Sequence, residues 1–261
     1  MEITSVEIPR ESWIGKSNVL LGSCFSIYIG EQMKEFCIPT LINPCGTLFN
    51  PLSILALLKA MDDTSLVGNS IFFSSIDNEW RSWLADTRLK GITKSACAEE
   101  VHHRLSLLRE ALLQASHLYI TLGTNVYYSL TENGVVVTNC QRQPDRIFTE
   151  RHLDLCSCVK VLEDIVSLVR TYRPGIKIVF TLSPFRYRKY TLTGSQLAKA
   201  TLRLAIDHVC HSCPNCLYFP AYEIMVDELR DYQWYGPDAL HPSSQAVEYI
   251  WKKLIASNDE N

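Results

Sequence analysis

The sequence predicts an α/β protein built on a parallel sheet with helices on both faces. Three observations carry this expectation. Four short apolar runs, 18–21, 117–122, 176–182 and 216–219, are rich in Val, Ile, Leu, Tyr or Phe, and each stops at a breaker or small residue: Gly22, Gly123, Pro184 and Pro220. Helical patterns separate the runs, which is the alternation of a sheet whose neighbouring strands are joined by crossover helices. At 261 residues and 47% hydrophobic content, the chain can bury a full core.

Taken in order, the first run (18–21) ends at Gly22 and is followed by a helical pattern over 25–36. Asn50-Pro51 is a fitting N-cap and first-turn pair for a helix reaching about residue 61. The segment 69–83 carries Ile71, Phe72, Phe73, Trp80 and Trp83 and reads as a small strand pair. A helix over 98–114 would align Val101, Leu105, Leu108 and Leu112 on one face before the strand at 117–122. The segment 126–138 is broken by Glu132-Asn133-Gly134, a strong hairpin signal. Helices over 155–171 and 195–210 flank the strand at 176–182, and the strand at 216–219 follows. Pro242 is placed to open a last helix ending near 255. The two β segments that break the alternation read as hairpin insertions near one end of the sheet. No internal repeat, low-complexity tract or linker divides the chain, so one domain spanning 1–261 is expected.

Charge narrows the function classes. With 25 basic and 28 acidic residues, a net charge of −3 and a pI near 6.2, the chain has no basic footprint for nucleic acid or for an anionic membrane surface. The first residues, MEITSVEIPRESW, carry Glu2, Glu7 and Glu11 and no long apolar run, so neither a signal peptide nor a membrane span is read there. Ten cysteines without an export signal argue for a reducing compartment, and a cytoplasmic location is expected.

In an open parallel sheet, ligands bind beyond the carboxyl ends of the strands. Those ends carry Gly22-Ser23-Cys24, Gly123-Thr124-Asn125 and Ser183-Pro184-Phe185-Arg186; Asp238-Ala239-Leu240-His241 precedes the last helix. A nucleophile at a helix N-terminus sits against unpaired backbone N–H groups and the positive end of the helix dipole. A His can take its proton and an Asp can hold the His tautomer. Gly123 and the Asn125 amide are candidates to bind an oxyanion. Each stretch also has a structural reading. Ser23 is a natural N-cap, Asn43 and Gly46 fit a turn with side-chain bonds to backbone, and Ser183 to Arg186 reads as a loop over the sheet edge.

The order of these stretches resembles the SGNH (GDSL-like) hydrolase superfamily, and LGSCFS resembles the signature of the GSCFA family within it. Supporting stretches are NPCGTLFNP, TLGTNVYY, TNCQRQP, TLSPFRY and YFPAYEIMVDELRDYQWYGPDALHP, together spanning nearly the whole chain. The resemblance implies a three-layer α/β/α, flavodoxin-like fold and acyl-ester chemistry. By register, the superfamily's Gly-Asp-Ser becomes Gly22-Ser23-Cys24, which makes Cys24 the favoured nucleophile and leaves Ser23 as the alternative by residue type. It further implies Asp238 and His241 as catalytic partners and a backbone donor at Gly46 or its neighbours. Gln141 and Trp80-Arg81-Ser82-Trp83 stand where the family tends to have histidine nearby.

The leading expectation is therefore a hydrolase of an acyl ester, with an acyltransferase or a non-catalytic binding protein as alternatives. Aromatic Tyr127, Tyr128, Trp234 and Tyr235 make an acylated carbohydrate a reasonable substrate, beside lipids and thioesters. No cofactor is expected. Cys210, Cys213 and Cys216, with His208 and His211 nearby, are spaced for a metal or cluster, but no fourth thiol follows at the required spacing, and no metal is expected.

Overall fold

A computed structural model describes residues 4–259. β1 (Asn18–Gly22) leads into α1 (Cys24–Glu35) and then β2 (Thr40–Ile42). α2 (Pro51–Ala60) and α3 (Thr64–Ser70) precede a small antiparallel sheet of β3 (Ile71–Ser74), β4 (Glu79–Ser82) and β5 (Lys90–Gly91). α4 (Lys94–Gln114) returns the chain to β6 (His117–Leu122). β7 (Val126–Leu130), β8 (Val136–Val137) and β9 (Phe148–His152) form a second antiparallel sheet. α5 (Leu155–Tyr172), β10 (Lys177–Leu182), α6 (Thr191–Ser212) and β11 (Cys216–Tyr218) follow. The short α7 (Ala221–Glu223) runs into a π-helical turn, and α8 (Ser244–Ala256) ends the fold.

The central sheet is parallel throughout, in the order β2-β1-β6-β10-β11. Strand side chains alternate between faces, so each strand feeds two cores. Val19, Leu21, Leu118, Ile120, Ile178 and Phe180 join the larger core with the inner faces of α2, α4, α5 and α6. Leu20, Tyr119 and Val179 lie in one register row across β1, β6 and β10. They join the smaller core with Phe25, Ile29 and Met33 of α1 and Ile250, Trp251 and Leu254 of α8. This is the three-layer arrangement expected from the alternation of elements. Among the described residues, no helix is long and apolar enough to cross a membrane.

Five strands form the central sheet where four apolar runs were expected. The additional strand, β2, is a three-residue, half-buried edge strand with no apolar run to announce it. Both expected insertions are present, and each gains a strand. β5 contributes two residues, and β9 has the largely polar sequence FTERH. The turn at Glu132-Asn133-Gly134 reverses the chain, with Gly134 at φ +73°. α4 and α6 begin earlier than the apolar periodicity suggested, because Thr93 caps α4 through the Ala96 N–H (3.1 Å) and a turn at Tyr190 starts α6. Pro242 stands outside α8. Ser243 is its N-cap, accepting from the Ala246 N–H at 3.2 Å, while Pro242 pairs with Tyr235 in an isolated bridge.

Candidate active site

The sheet's connections leave in opposite directions on either side of β1 and β6, which makes the space beyond their carboxyl ends the topological switch point. Gly22 closes β1 there at φ +141°, and a Cβ on it would lie 2.2 Å from the Thr121 carbonyl oxygen, so only glycine lets β1 and β6 approach in this way. The Asn43 side chain grips the Gly22 peptide from the other side. Its Oδ1 accepts the Gly22 N–H at 2.8 Å and its Nδ2 donates to the Gly22 carbonyl at 3.1 Å. The Leu48 N–H also donates to that carbonyl, at 2.8 Å, which brings the 43–50 loop alongside the end of β1.

Ser23 and Cys24 then take different roles. Ser23 is 1% exposed, has extended backbone angles, and its Oγ accepts the Phe25 N–H at 3.4 Å as the N-cap of α1. Cys24 is the first helical residue and is partly exposed. Burial pushes its thiol above the ordinary value. The backbone N–H groups of Cys24 and Phe25 and the charge of Lys199 pull it down, while Asp238 pushes it further up. The net direction is upward, so the resting group is a thiol and its reaction as a nucleophile requires a base.

Asp238 and His241 form a tight pair. The His241 Nδ1–H donates to Asp238 Oδ2 at 2.5 Å, and Asp238 Oδ1 accepts the N–H groups of Leu240 and His241, both at 3.0 Å. Those N–H groups and the imidazole hold the Asp238 carboxyl well below the usual carboxylate range. The loop that carries the pair is pinned at several points. Gly236 N–H donates to His241 O (2.7 Å), Ser243 N–H to Trp234 O (2.8 Å) and Arg186 N–H to Leu240 O (3.1 Å), with Ala239 in the left-handed region at φ +56°. Phe185 stacks against the His241 ring, centroids 4.2 Å apart. The 183–186 loop thus supplies an aromatic wall to the site, beyond the structural role expected for it.

The three expected oxyanion donors are engaged elsewhere. The Gly46 N–H donates to Asn43 O at 2.9 Å, and its φ of +99° and the packing of Asp86 against it are those of a tight turn. The Gly123 N–H donates to Phe49 O at 2.8 Å, tying the 43–50 loop to the end of β6. The Asn125 Nδ2 donates to Leu153 O at 2.7 Å, and its Oδ1 is buried without a partner. Sequence position put these groups at the carboxyl end of the strands, but which partner each N–H takes depends on loop contacts that are remote in sequence. Two other backbone donors have no hydrogen-bond partner among the described residues: the Cys24 N–H in the first turn of α1 and the Thr47 N–H in the 43–50 loop.

Lys199 was not anticipated. It lies on α6, is 1% exposed, and its Nζ donates to Ser183 O at 2.7 Å. Burial and, secondarily, the charge of Arg186 push its ammonium down to about 7, and its charge reaches Cys24. Its place within an amphipathic helical pattern gave no sign of this; a lysine at a core-facing position was the only available signal. The Ser183 Oγ beside it is buried and unpartnered, as are the Thr181 and Ser26 hydroxyls further down.

A cleft of about 250 Å³ opens against Phe185 and the end of β6, walled by Phe49, Gly123, Val126, Val137, Tyr128 and Tyr190 among others. Of the four aromatics expected near the substrate, only Tyr128 lines it. Tyr127 packs against the larger core, Trp234 joins the smaller core beside Tyr249, and Tyr235 borders a separate depression with Arg186. Among the described residues, no group of three or more His, Cys, Asp or Glu side chains is disposed to hold a metal. Burial pushes the Cys210 and Cys216 thiols up to about 12.

The GSCFA family model matches residues 17–254. No curated protein matches the chain. Similar solved structures include a family two carbohydrate esterase from Clostridium thermocellum in complex with cellohexaose (11% identity, TM-score 0.44, 98% of this chain and 66% of that one). A carbohydrate esterase family 3 protein from Talaromyces cellulolyticus is also similar (9% identity, TM-score 0.42, 92% of this chain and 97% of that one). A third is an acetyl xylan esterase from the rumen bacterium Butyrivibrio proteoclasticus (11% identity, TM-score 0.41, 98% of this chain and 65% of that one). The chain therefore spans about two thirds of the length of the first and third of these proteins.

Proposed function

We propose that this chain, which belongs to the GSCFA family, is a cysteine-dependent esterase of the SGNH type, with Cys24 as nucleophile and His241 and Asp238 as its catalytic partners. The observation that carries the reading is the 2.5 Å bond from His241 Nδ1 to Asp238 Oδ2, at the sheet end where the Cys24 thiol sits on the first residue of a helix and feels the Asp238 charge. With Nδ1 committed to Asp238, the imidazole offers Nε2 as the proton acceptor. The raised thiol needs such a base.

In this scheme His241 takes the thiol proton as sulfur attacks the ester carbonyl. The C–O bond to the alcohol then breaks, and the alcohol leaves with the proton from His241. Water, giving a proton to the same nitrogen, attacks the thioester; the acid departs and the proton returns to sulfur. The N–H groups of Cys24 and Thr47 are the donors for the oxyanion, and Ser23 remains the helix cap. Acyl transfer to a sugar hydroxyl uses the same intermediate with an alcohol in place of water. Acylated carbohydrates are therefore one class to test, alongside simple esters and thioesters. A second reading, a binding protein that does not catalyse, is favoured by the engagement of the Gly46, Gly123 and Asn125 donors.

The test is intact-mass analysis after incubation with activated aryl esters and thioesters, in wild type and in Cys24→Ala, Ser23→Ala and His241→Ala. The expected result is an acyl adduct lost in Cys24→Ala, retained in Ser23→Ala and slow to form in His241→Ala. An adduct lost only in Ser23→Ala would overturn the assignment of the nucleophile. The absence of both adduct and turnover across the panel would favour the binding protein.

A further inference from the structure

We infer that the cleft beside His241 is an acyl-chain pocket, built for a neutral apolar acyl group longer than acetyl. This rests on the esterase reading above and adds the class of acid that the enzyme releases. The cleft shares a wall with the catalytic pair, because Phe185 lines it and also stacks on the His241 ring. Its backbone edge at Gly123 ends β6, the strand paired with β1 and hence next to Gly22 and Cys24.

The chemistry of the walls identifies the occupant. Phe49, Val126, Val137 and Phe185 present apolar surface. Several of the polar atoms that face the cleft are engaged within the protein. Asn50 Oδ1 accepts the Ser53 N–H at 2.9 Å, and Thr124 Oγ1 accepts the Val126 N–H at 3.1 Å. Thr138 Oγ1 donates to Trp83 O at 2.9 Å, and Asn139 Oδ1 accepts the Gln141 N–H at 2.7 Å. The Tyr128 and Tyr190 hydroxyls are 2.7 Å apart, and Glu150 and Lys189 close that network at the rim with a 2.9 Å ion pair. A sugar ring presents hydroxyls on most of its edges, and those turned to the apolar walls of Phe49, Val126, Val137 and Phe185 would lose water without gaining a partner. An alkyl chain needs none and gains from leaving water. The opposite charges of Glu150 and Lys189 pair with each other, so the rim favours neither an anionic nor a cationic tail. The volume of about 250 Å³ is far larger than an acetyl methyl group requires.

The experiment measures kcat/KM for a series of aryl esters with one leaving group and acyl chains from acetyl to octanoyl. Each buried methylene is expected to raise kcat/KM roughly three- to fourfold, so that octanoate exceeds acetate by at least about a hundredfold. In Cys140→Phe, which inserts a ring into the cleft wall, the octanoate-to-acetate ratio should fall at least about tenfold relative to wild type. A flat or declining series in the wild type would overturn the inference, as would an unchanged ratio in a folded Cys140→Phe protein. If no ester is turned over and no adduct forms, the esterase reading fails on its own. The pocket is then judged by calorimetry of octanoate and acetate with the full chain. Binding of octanoate alone would sustain the pocket, and binding of neither, or of both equally, would overturn it.

Discussion

Replacing Lys199 with methionine should stabilise the protein at acid pH and erase a pH dependence that the wild type carries. The ammonium is 1% exposed, its one hydrogen bond goes to the Ser183 carbonyl, and burial pushes it from 10.5 down to about 7. In the unfolded chain the same group keeps its proton to about pH 10. Between about pH 7 and pH 10, therefore, the unfolded state holds one proton more than the folded state, and stability rises with pH. Below about pH 7 both states are protonated, and the folded state bears the whole cost of a buried charge, about 5 kcal/mol for a drop of that size. From about pH 6 to about pH 8.5 the change in proton uptake integrates to about 2 kcal/mol. Methionine keeps the length and removes the charge, at the expense of leaving the Ser183 carbonyl without its donor, about 1–3 kcal/mol. The expected outcome of urea denaturation is a variant about 2–4 kcal/mol more stable than wild type at about pH 6, with its advantage shrinking by about 2 kcal/mol at about pH 8.5. Taking the difference between the two proteins cancels groups common to both, such as the buried His117. A gap between the two proteins that stays constant across that range would refute the reasoning, because it would mean that Lys199 keeps its proton in the fold.

Three further outcomes follow from the same geometry. Asp238→Asn removes the carboxylate that holds the His241 tautomer, and kcat/KM on an accepted ester should fall about a thousandfold or more with the fold intact by circular dichroism. Asn43→Ala removes both side-chain hydrogen bonds to the Gly22 peptide, leaving its N–H unpaired and its carbonyl with the Leu48 N–H alone, and should cost about 2–4 kcal/mol in urea denaturation; a loss below about 0.5 kcal/mol would show that the grip is not needed. Lys199→Met should also slow alkylation of Cys24 by iodoacetamide near neutral pH, followed by intact mass, because the positive charge that favours the thiolate is gone.

How much of this was legible in the sequence differs by element. β1, β6 and β10 are buried on both sides and are therefore written as continuous apolar runs, and the helices between them carry ordinary caps such as Asn50 and Asp154. β2 and β9 lie at sheet edges: β2 is only three residues long, with Leu41 and Ile42 packed against different cores, and β9 is largely polar, so neither left an apolar run to read. The hairpin at Glu132 to Gly134 was legible because a positive φ at Gly134 is a local requirement. The insertions' common anchor was not. Trp83 stacks on Phe72 with centroids 3.7 Å apart, meets Phe148 edge-on, and accepts both the N–H and the Oγ1–H of Thr138, thereby joining the two small sheets through contacts far apart in sequence.

The candidate site divides along the same line. Asp238 and His241 are three residues apart and pair within a single loop, so their spacing carried the geometry. The choice between Ser23 and Cys24 also rests on local geometry. The residue preceding the first helical turn turns its side chain back to cap the helix, and the next residue projects from the end. The oxyanion donors are different in kind. A backbone N–H is useful to a substrate only if no carbonyl has taken it, and the Gly46, Gly123 and Asn125 donors are taken by Asn43, Phe49 and Leu153. Two of those acceptors belong to the 43–50 loop, which Asn43 and Leu48 fasten to Gly22. The loop that takes up two of the expected donors is thus also the loop that holds the thiol-bearing turn in place, and Thr47, in the middle of it, has an N–H with no hydrogen-bond partner among the described residues. In the proposed scheme the loop that positions the nucleophile also supplies Thr47 as the second oxyanion donor beside the Cys24 N–H. Loosening the loop through Asn43→Ala should then lower kcat more steeply than it raises KM.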